Sequence, residues 1–218
     1  MGADLTAREG LEDLLDRLED FFDPKRSDKR QDREIAAELA KLAMGVIPLL
    51  KAIYEKHFSQ QLDPVQPNGR QAVYTPLLIT PKKDQRKELS AVQAELGLEL
   101  PALGKRLWAV IGKLREREYV DSGVPGYDEV KDRLLVPLLL LVGVSWPSSA
   151  QVLTLCKIFA EDHESVYKAA AAVLGVMGQI ALTEVEKIDL KGLEKSDAPR
   201  AKEVGKLLAD LRAQVPKA

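Results

Sequence analysis

The chain has few of the residues that most often carry catalysis or bind metals, and each shortage excludes a kind of chemistry. A single cysteine, Cys156, excludes an intramolecular disulfide and a zinc site built from cysteines. The two histidines, His57 and His163, are far apart and have neither H-E-x-x-H nor H-x-x-x-H spacing. Aromatic residues make up 5% of the chain, so leucine, valine, isoleucine and alanine must fill the core, as they do in helical bundles.

Long apolar runs are also lacking, and neither sign of charge dominates. The longest run, 134–144, contains Pro137 and Gly143 and is well short of the roughly 20 residues of a spanning helix. The net charge is -2, which demands neither a nucleic acid nor a membrane as partner. The first residues are acidic and amphipathic, whereas a secretory signal has a basic start and an apolar block. We therefore expect a cytoplasmic protein without membrane contact.

Known catalytic signatures are missing as well. The Gly-Lys pairs at 104–105 and 112–113 are not followed by the serine or threonine with which a P-loop binds magnesium. The segment 143–147 begins like a nucleophile elbow, but Pro147 stands where the second glycine belongs. Cys156 falls on an apolar stripe, which is typical of a small buried residue. We predict a protein that is not an enzyme and uses no cofactor or metal; an enzyme with an unrecognised active site stays open as an alternative.

What the sequence does contain is a helical period of apolar residues from one end to the other. Large apolar residues recur at steps of three and four, most clearly at 11–22 and 204–211. The pattern predicts an all-α fold, an irregular bundle of about seven to eight helices. The adjoining segments 148–161 and 164–181 leave a stacked helical solenoid open as the alternative.

The second predicted helix, over 28–58, contains a proline in its middle. Pro48 removes one backbone hydrogen bond and should kink the helix. Gly45, one turn earlier, makes such a bend easier.

Proline and glycine interrupt the helical pattern most strongly at two places. Residues 59–82 hold four prolines and an Asn-Gly turn signal, which predicts a long proline-rich loop. Residues 121–126 form a second breaker, and they divide the chain into an N-terminal helical lobe, 1–120, and a C-terminal helical lobe, 127–218. One continuous domain remains the alternative to this division.

A row of small residues is the first candidate for a binding surface. In the helix predicted over 164–181, Ala171, Gly175 and Gly178 follow at steps of four and three and would share one face. Small side chains let another helix approach closely. The leading hypothesis is therefore a non-enzymatic helical adaptor or accessory subunit, which binds another protein through this face or through an apolar groove.

Clustered basic residues suggest an alternative function. An accessory subunit of a nucleoprotein complex would contact RNA or DNA phosphates through a basic helical face, and a tryptophan nearby would stack on a base. The residues of this possible nucleic-acid-binding face are Lys82, Lys83, Arg86, Lys87, Lys105, Arg106, Trp108, Lys113 and Arg117.

Overall fold

The computed structural model describes residues 6–23, 25, 32–58, 86–116, 128–145 and 149–214. These residues form ten α-helices and one turn of 3-10 helix, and they contain no strand. The predicted all-α fold is confirmed, with more helices than expected. In chain order the helices are α1 (Ala7–Phe21), α2 (Asp32–Phe58), α3 (Arg86–Leu96), α4 (Leu100–Glu116), α5 (Asp128–Ser145), α6 (Val152–Glu161), α7 (Glu164–Val176), α8 (Gln179–Val185), α9 (Leu190–Ser196) and α10 (Ala198–Gln214); the 3-10 turn is Ser149–Gln151.

Some of the predictions concern residues outside this description. They are the proline-rich loop at 59–82, the breaker at 121–126 and three members of the possible nucleic-acid-binding face, Lys82, Lys83 and Arg117. They therefore remain predictions.

The additional helices have different origins: one predicted helix is broken into two, and one short helix has too few residues to show an apolar repeat. The helix expected over 164–181 is two helices, because α7 ends at Val176 and Gly178 has a φ of 58° before α8 begins. Glycine adopts such a positive φ without the steric cost that a Cβ would bring. Helix α9 spans two turns, too few for an apolar repeat, and begins where the Asp189 carboxylate accepts a hydrogen bond of 3.0 Å from the Gly192 N–H.

Helix α1 starts at a capping box that the sequence encodes directly. The Thr6 hydroxyl accepts a hydrogen bond from the Glu9 N–H at 3.3 Å, and the Glu9 carboxylate accepts one from the Thr6 N–H at 2.9 Å. These bonds to Thr6 lower the pKa of Glu9 below its ordinary value. Helix α2 continues through Pro48, whose ring is exposed.

Helix α5 is the central element of the core. It packs against α2, α4 and α7, and its apolar residues between Leu134 and Val142 are mostly buried. Buried residues of every described helix except α9 belong to one hydrophobic cluster, and the partly buried Leu190 and Leu193 of α9 pack against it. The first helix of the predicted C-terminal lobe therefore also packs against helices of the N-terminal lobe. None of the described helices combines the length and apolarity needed to cross a membrane.

The corner between α6 and α7 is held by two arginines from other helices. Asp162, 6% exposed, lies 3.6 Å from the Arg115 Nε of α4. Arg200 of α10 donates hydrogen bonds to the carbonyl oxygens of Ala160 and Asp162, the second at 2.7 Å. The Arg200 guanidinium also lies 4.9 Å from the centroid of the Tyr167 ring. One arginine therefore satisfies the carbonyl end of α6 and joins it to α10.

The end of α2 is joined to α3 by a small charged cluster. The Glu95 carboxylate accepts a hydrogen bond of 2.8 Å from the Lys56 ammonium, and the His57 Nε2 lies 2.7 Å from the same oxygen. Both contacts lower the pKa of the Glu95 carboxyl group. The folded structure thus stabilises the ionised form of Glu95.

Candidate protein-binding groove

Helices α1 and α2 run antiparallel and are in close contact at one glycine. Gly10 of α1 faces Val46 of α2, and Arg17 of α1 faces Glu38 of α2, so the residue numbers rise in opposite directions. A Cβ built on Gly10 would lie 3.0 Å from the Val46 Cγ2 atom. The missing side chain at Gly10 therefore allows the close packing of these two helices.

An open groove of about 370 Å³ lies above this seam. Its apolar floor is made by the half-buried Leu42 and Leu49 of α2 above the buried Val46, together with the backbone of Gly10 and Gly45. A Cβ built on Gly45 would meet nothing within 4 Å, so this glycine leaves the groove unfilled. In the sequence Gly45 indicates only an easier bend; in the fold it also determines the depth of a surface feature.

Three charged side chains complete the lining. The Arg17 Nη2 atom lies 2.5 Å from the Glu38 carboxylate, and this pair joins α1 to α2 at one end of the groove. Lys41 lies on the α2 side and is exposed. The α2 lining from Glu38 to Leu49 covers three helical turns, about 16 Å. The groove is therefore long and shallow, with an apolar middle and a polar end.

The solvent side of α1 next to the groove carries four carboxylates. At about 100° per residue, Gly10 and Arg17 project in nearly the same direction. Going round the helix from these two residues toward solvent, the next positions are all acidic and exposed: Asp13, Asp20, Glu9 and Asp16. We call these four residues the acidic lip. Glu12 and Glu19 lie on the other side of α1, away from the groove.

The predicted face of small residues does not exist as one helical face. Because α7 ends at Val176, Gly178 lies outside the helix that carries Ala171 and Gly175, so this part of the prediction is wrong. A Cβ on Gly175 would lie 3.5 Å from the Leu207 Cδ1 atom of α10, so a helix does approach there, and it belongs to the same chain. A tighter approach that the sequence analysis missed is at Gly143, whose Cβ would lie 3.1 Å from the Val173 Cγ2 atom.

The basic residues predicted for nucleic-acid binding are in several different environments. Arg86 and Lys87 are exposed in the first turn of α3, and Lys105 is exposed on α4. The other basic members on α4 interact with the end of α1: Arg106 donates hydrogen bonds to the Glu19 carboxylate, and the Lys113 ammonium lies 6.0 Å from the Phe22 ring centroid. Trp108 is half-buried against the core, so only part of its side chain is exposed.

Two observations on the described residues concern metal and thiol chemistry. The His, Cys, Asp and Glu side chains among these described residues form no group of three or more that could hold a metal ion. Burial raises the pKa of Cys156 to about 11. The thiol is thus protonated at neutral pH, whereas the thiolate is the reactive form.

Comparison with known proteins adds no family to this description. No protein-family model, no curated protein and no solved structure matches the chain.

Proposed function

We propose that this protein is a non-enzymatic adaptor or accessory subunit that binds another protein in the groove between α1 and α2. The observation that carries the proposal is the open apolar floor of Leu42 and Leu49, with the buried Val46 beneath it, which lies along about two turns of α2. An amphipathic helix presents apolar side chains at i, i+3, i+4 and i+7 along one line. Such a row fits a long apolar groove, a common mode of peptide recognition.

The shape and lining of the groove favour a protein partner over a substrate. Sites for small molecules enclose most of their ligand, about 70–90% of its surface, and this groove is open along its length. Its lining has no hydroxyl, thiol or imidazole group that would act as a nucleophile or as a histidine base. We propose a cytoplasmic location, since a single cysteine without a disulfide partner suits a reducing compartment.

The first experiment measures binding of a designed helical peptide by fluorescence anisotropy. The probe is an uncharged peptide of about 15 residues, with leucine at i, i+4, i+7 and i+11 and with glutamine and alanine elsewhere. We expect it to bind the wild type and to lose roughly tenfold or more in affinity for Gly45→Leu. The introduced leucine occupies the space of one peptide side chain, whose burial is worth about 1.5–3 kcal/mol.

Gly205→Leu is the matched control for this substitution. Gly205 also lies within a helix, α10, and a Cβ on it would also meet nothing within 4 Å. Gly205→Leu should bind the peptide like the wild type. A wild type that does not bind the peptide, or a Gly45→Leu variant that binds it equally well, would refute the proposed function.

A further inference from the structure

The two sides of the groove differ in charge, since the α2 side contributes the exposed Lys41 to the lining. The α1 side is the acidic lip, whose four exposed carboxylates follow one another round the helix next to Gly10 and Arg17. The Arg17 guanidinium is engaged by Glu38 at 2.5 Å and lies 3.9 Å from the Asp13 carboxylate. Asp16 and Asp20 make no ion pair with any residue of the described part of the chain, so their charges face solvent beside the groove.

The carboxylates on the other side of α1 are in a different situation. Glu12 pairs with Arg8 at 2.9 Å, and Glu19 accepts hydrogen bonds from Arg106 of α4. The chain therefore supplies cations to the acidic residues that face away from the groove. The carboxylates Asp16 and Asp20, unpaired within the described residues, therefore lie on the solvent flank of α1 that adjoins the groove, about 80–120° round the helix from Gly10.

We propose that the occupant of the groove is an amphipathic helix of a partner protein with lysine or arginine along one flank. This inference rests on the proposed function and adds the chemistry of the partner. Leucine-like side chains would lie on Leu42 and Leu49, and the basic flank would face the acidic lip. Complementary charges select the partner and its orientation and speed its association. An acidic flank would instead bring like charges together.

The test compares three peptides that share the leucine positions of the uncharged probe. Their flanking positions carry lysine, glutamine or glutamate. At about 50 mM salt we expect the lysine peptide to bind roughly tenfold or more tightly than the glutamate peptide, with the glutamine peptide between them. The difference should shrink at about 0.5 M salt, because exposed charges are screened at that ionic strength.

Two double variants with equal changes in charge test whether the preference for the lysine peptide arises at the acidic lip. Asp16→Asn with Asp20→Asn removes two charges from the acidic lip, and we expect it to lose most of the preference for lysine. Glu194→Gln with Asp210→Asn removes two exposed charges from α9 and α10 and should keep the wild-type preference. Equal loss in both variants would mean that the lysine peptide responds to overall charge, which would overturn the inference.

The remaining outcomes separate this inference from the proposed function. Equal affinity for all three peptides, with binding still lost in Gly45→Leu, would refute the basic partner and leave the groove as a protein-binding site. A lysine peptide that binds Gly45→Leu as tightly as the wild type would refute the groove as its site. Self-association of the wild type that Gly45→Leu abolishes would make a second copy of this chain the occupant and overturn the proposal.

Discussion

Substitution of the two groove glycines by alanine should have opposite effects on stability. Both glycines lie within helices, so alanine gains helix propensity at each, at most about 1 kcal/mol. At Gly45 a Cβ would meet nothing within 4 Å, and the full gain should appear. At Gly10 the new methyl would lie 3.0 Å from the Val46 Cγ2 atom. Val46 is 1% exposed and β-branched, so neither its rotamer nor its position yields easily.

The expected difference in stability between Gly10→Ala and Gly45→Ala follows from the cost of the contact with Val46. Overpacking of a well-packed contact costs about 1–3 kcal/mol. Because the propensity gain is similar at both positions, Gly10→Ala should be less stable than Gly45→Ala by about this amount. Relative to the wild type, Gly45→Ala should be more stable by up to about 1 kcal/mol, and Gly10→Ala should be less stable by about 0–2 kcal/mol.

Urea denaturation followed by circular dichroism measures both values, provided that the slope m is unchanged. A third variant tests the assigned cause. In a Val46→Ala background the contact is absent, so Gly10→Ala should lose its penalty. If Gly10→Ala matched Gly45→Ala in the wild-type background, the close approach of α1 and α2 at this point would be wrong.

Three further predictions concern other contacts. Arg200→Ala should lower the free energy of unfolding by about 1.5–3 kcal/mol in the urea assay, because carbonyl groups at the end of α6 lose a charged hydrogen-bond donor. The control Lys202→Ala, on the exposed side of α10, should change the free energy of unfolding little. Because the folded state lowers the pKa of Glu95 below its ordinary value of 4.5, the pairing stabilises the fold above that value and is lost as the pH falls through the folded pKa. The stability difference between wild type and Glu95→Gln should therefore be present near neutral pH and diminish as the pH is lowered below 4.5. Gel-shift titrations with single-stranded RNA and DNA should show negligible affinity for the wild type and for Lys105→Glu with Lys113→Glu, and salt-sensitive binding that the variant loses would favour the nucleoprotein alternative.

The sequence predicts those parts of the fold that depend on neighbouring residues. The all-α class follows from the apolar period, and the start of α1 follows from the spacing of Thr6 and Glu9. The break at Gly178 was missed because a glycine after an alanine-rich helix is locally compatible with continued helix at a modest cost. Its φ of 58° depends on how α7 and α8 pack against the rest of the chain.

The groove could not be predicted because its walls are distant in sequence. It requires α1 to lie beside α2 with Gly10 opposite Val46, and no local pattern specifies that register. The basic residues show the same difficulty. Their exposure could be inferred from the helical period, but the engagement of Arg106 by Glu19 joins residues on two separate helices. Charge on an exposed helix face therefore indicates where a partner could bind, and the contacts within the fold decide which charges are available to it.

The two groove glycines also bear on whether the groove has a function. Gly10 is explained by packing, since a larger residue would push α1 away from α2. Gly45 has no such explanation, because its position in α2 would accept a side chain and would gain about 1 kcal/mol from alanine. Apart from easing a bend near Pro48, its lack of a side chain leaves room for a molecule that lies in the groove. Gly45→Ala should therefore be more stable than the wild type and yet bind the leucine peptide a few-fold more weakly, because its methyl group occupies part of the floor. A variant that is more stable and binds equally well would show that Gly45 contributes nothing to recognition.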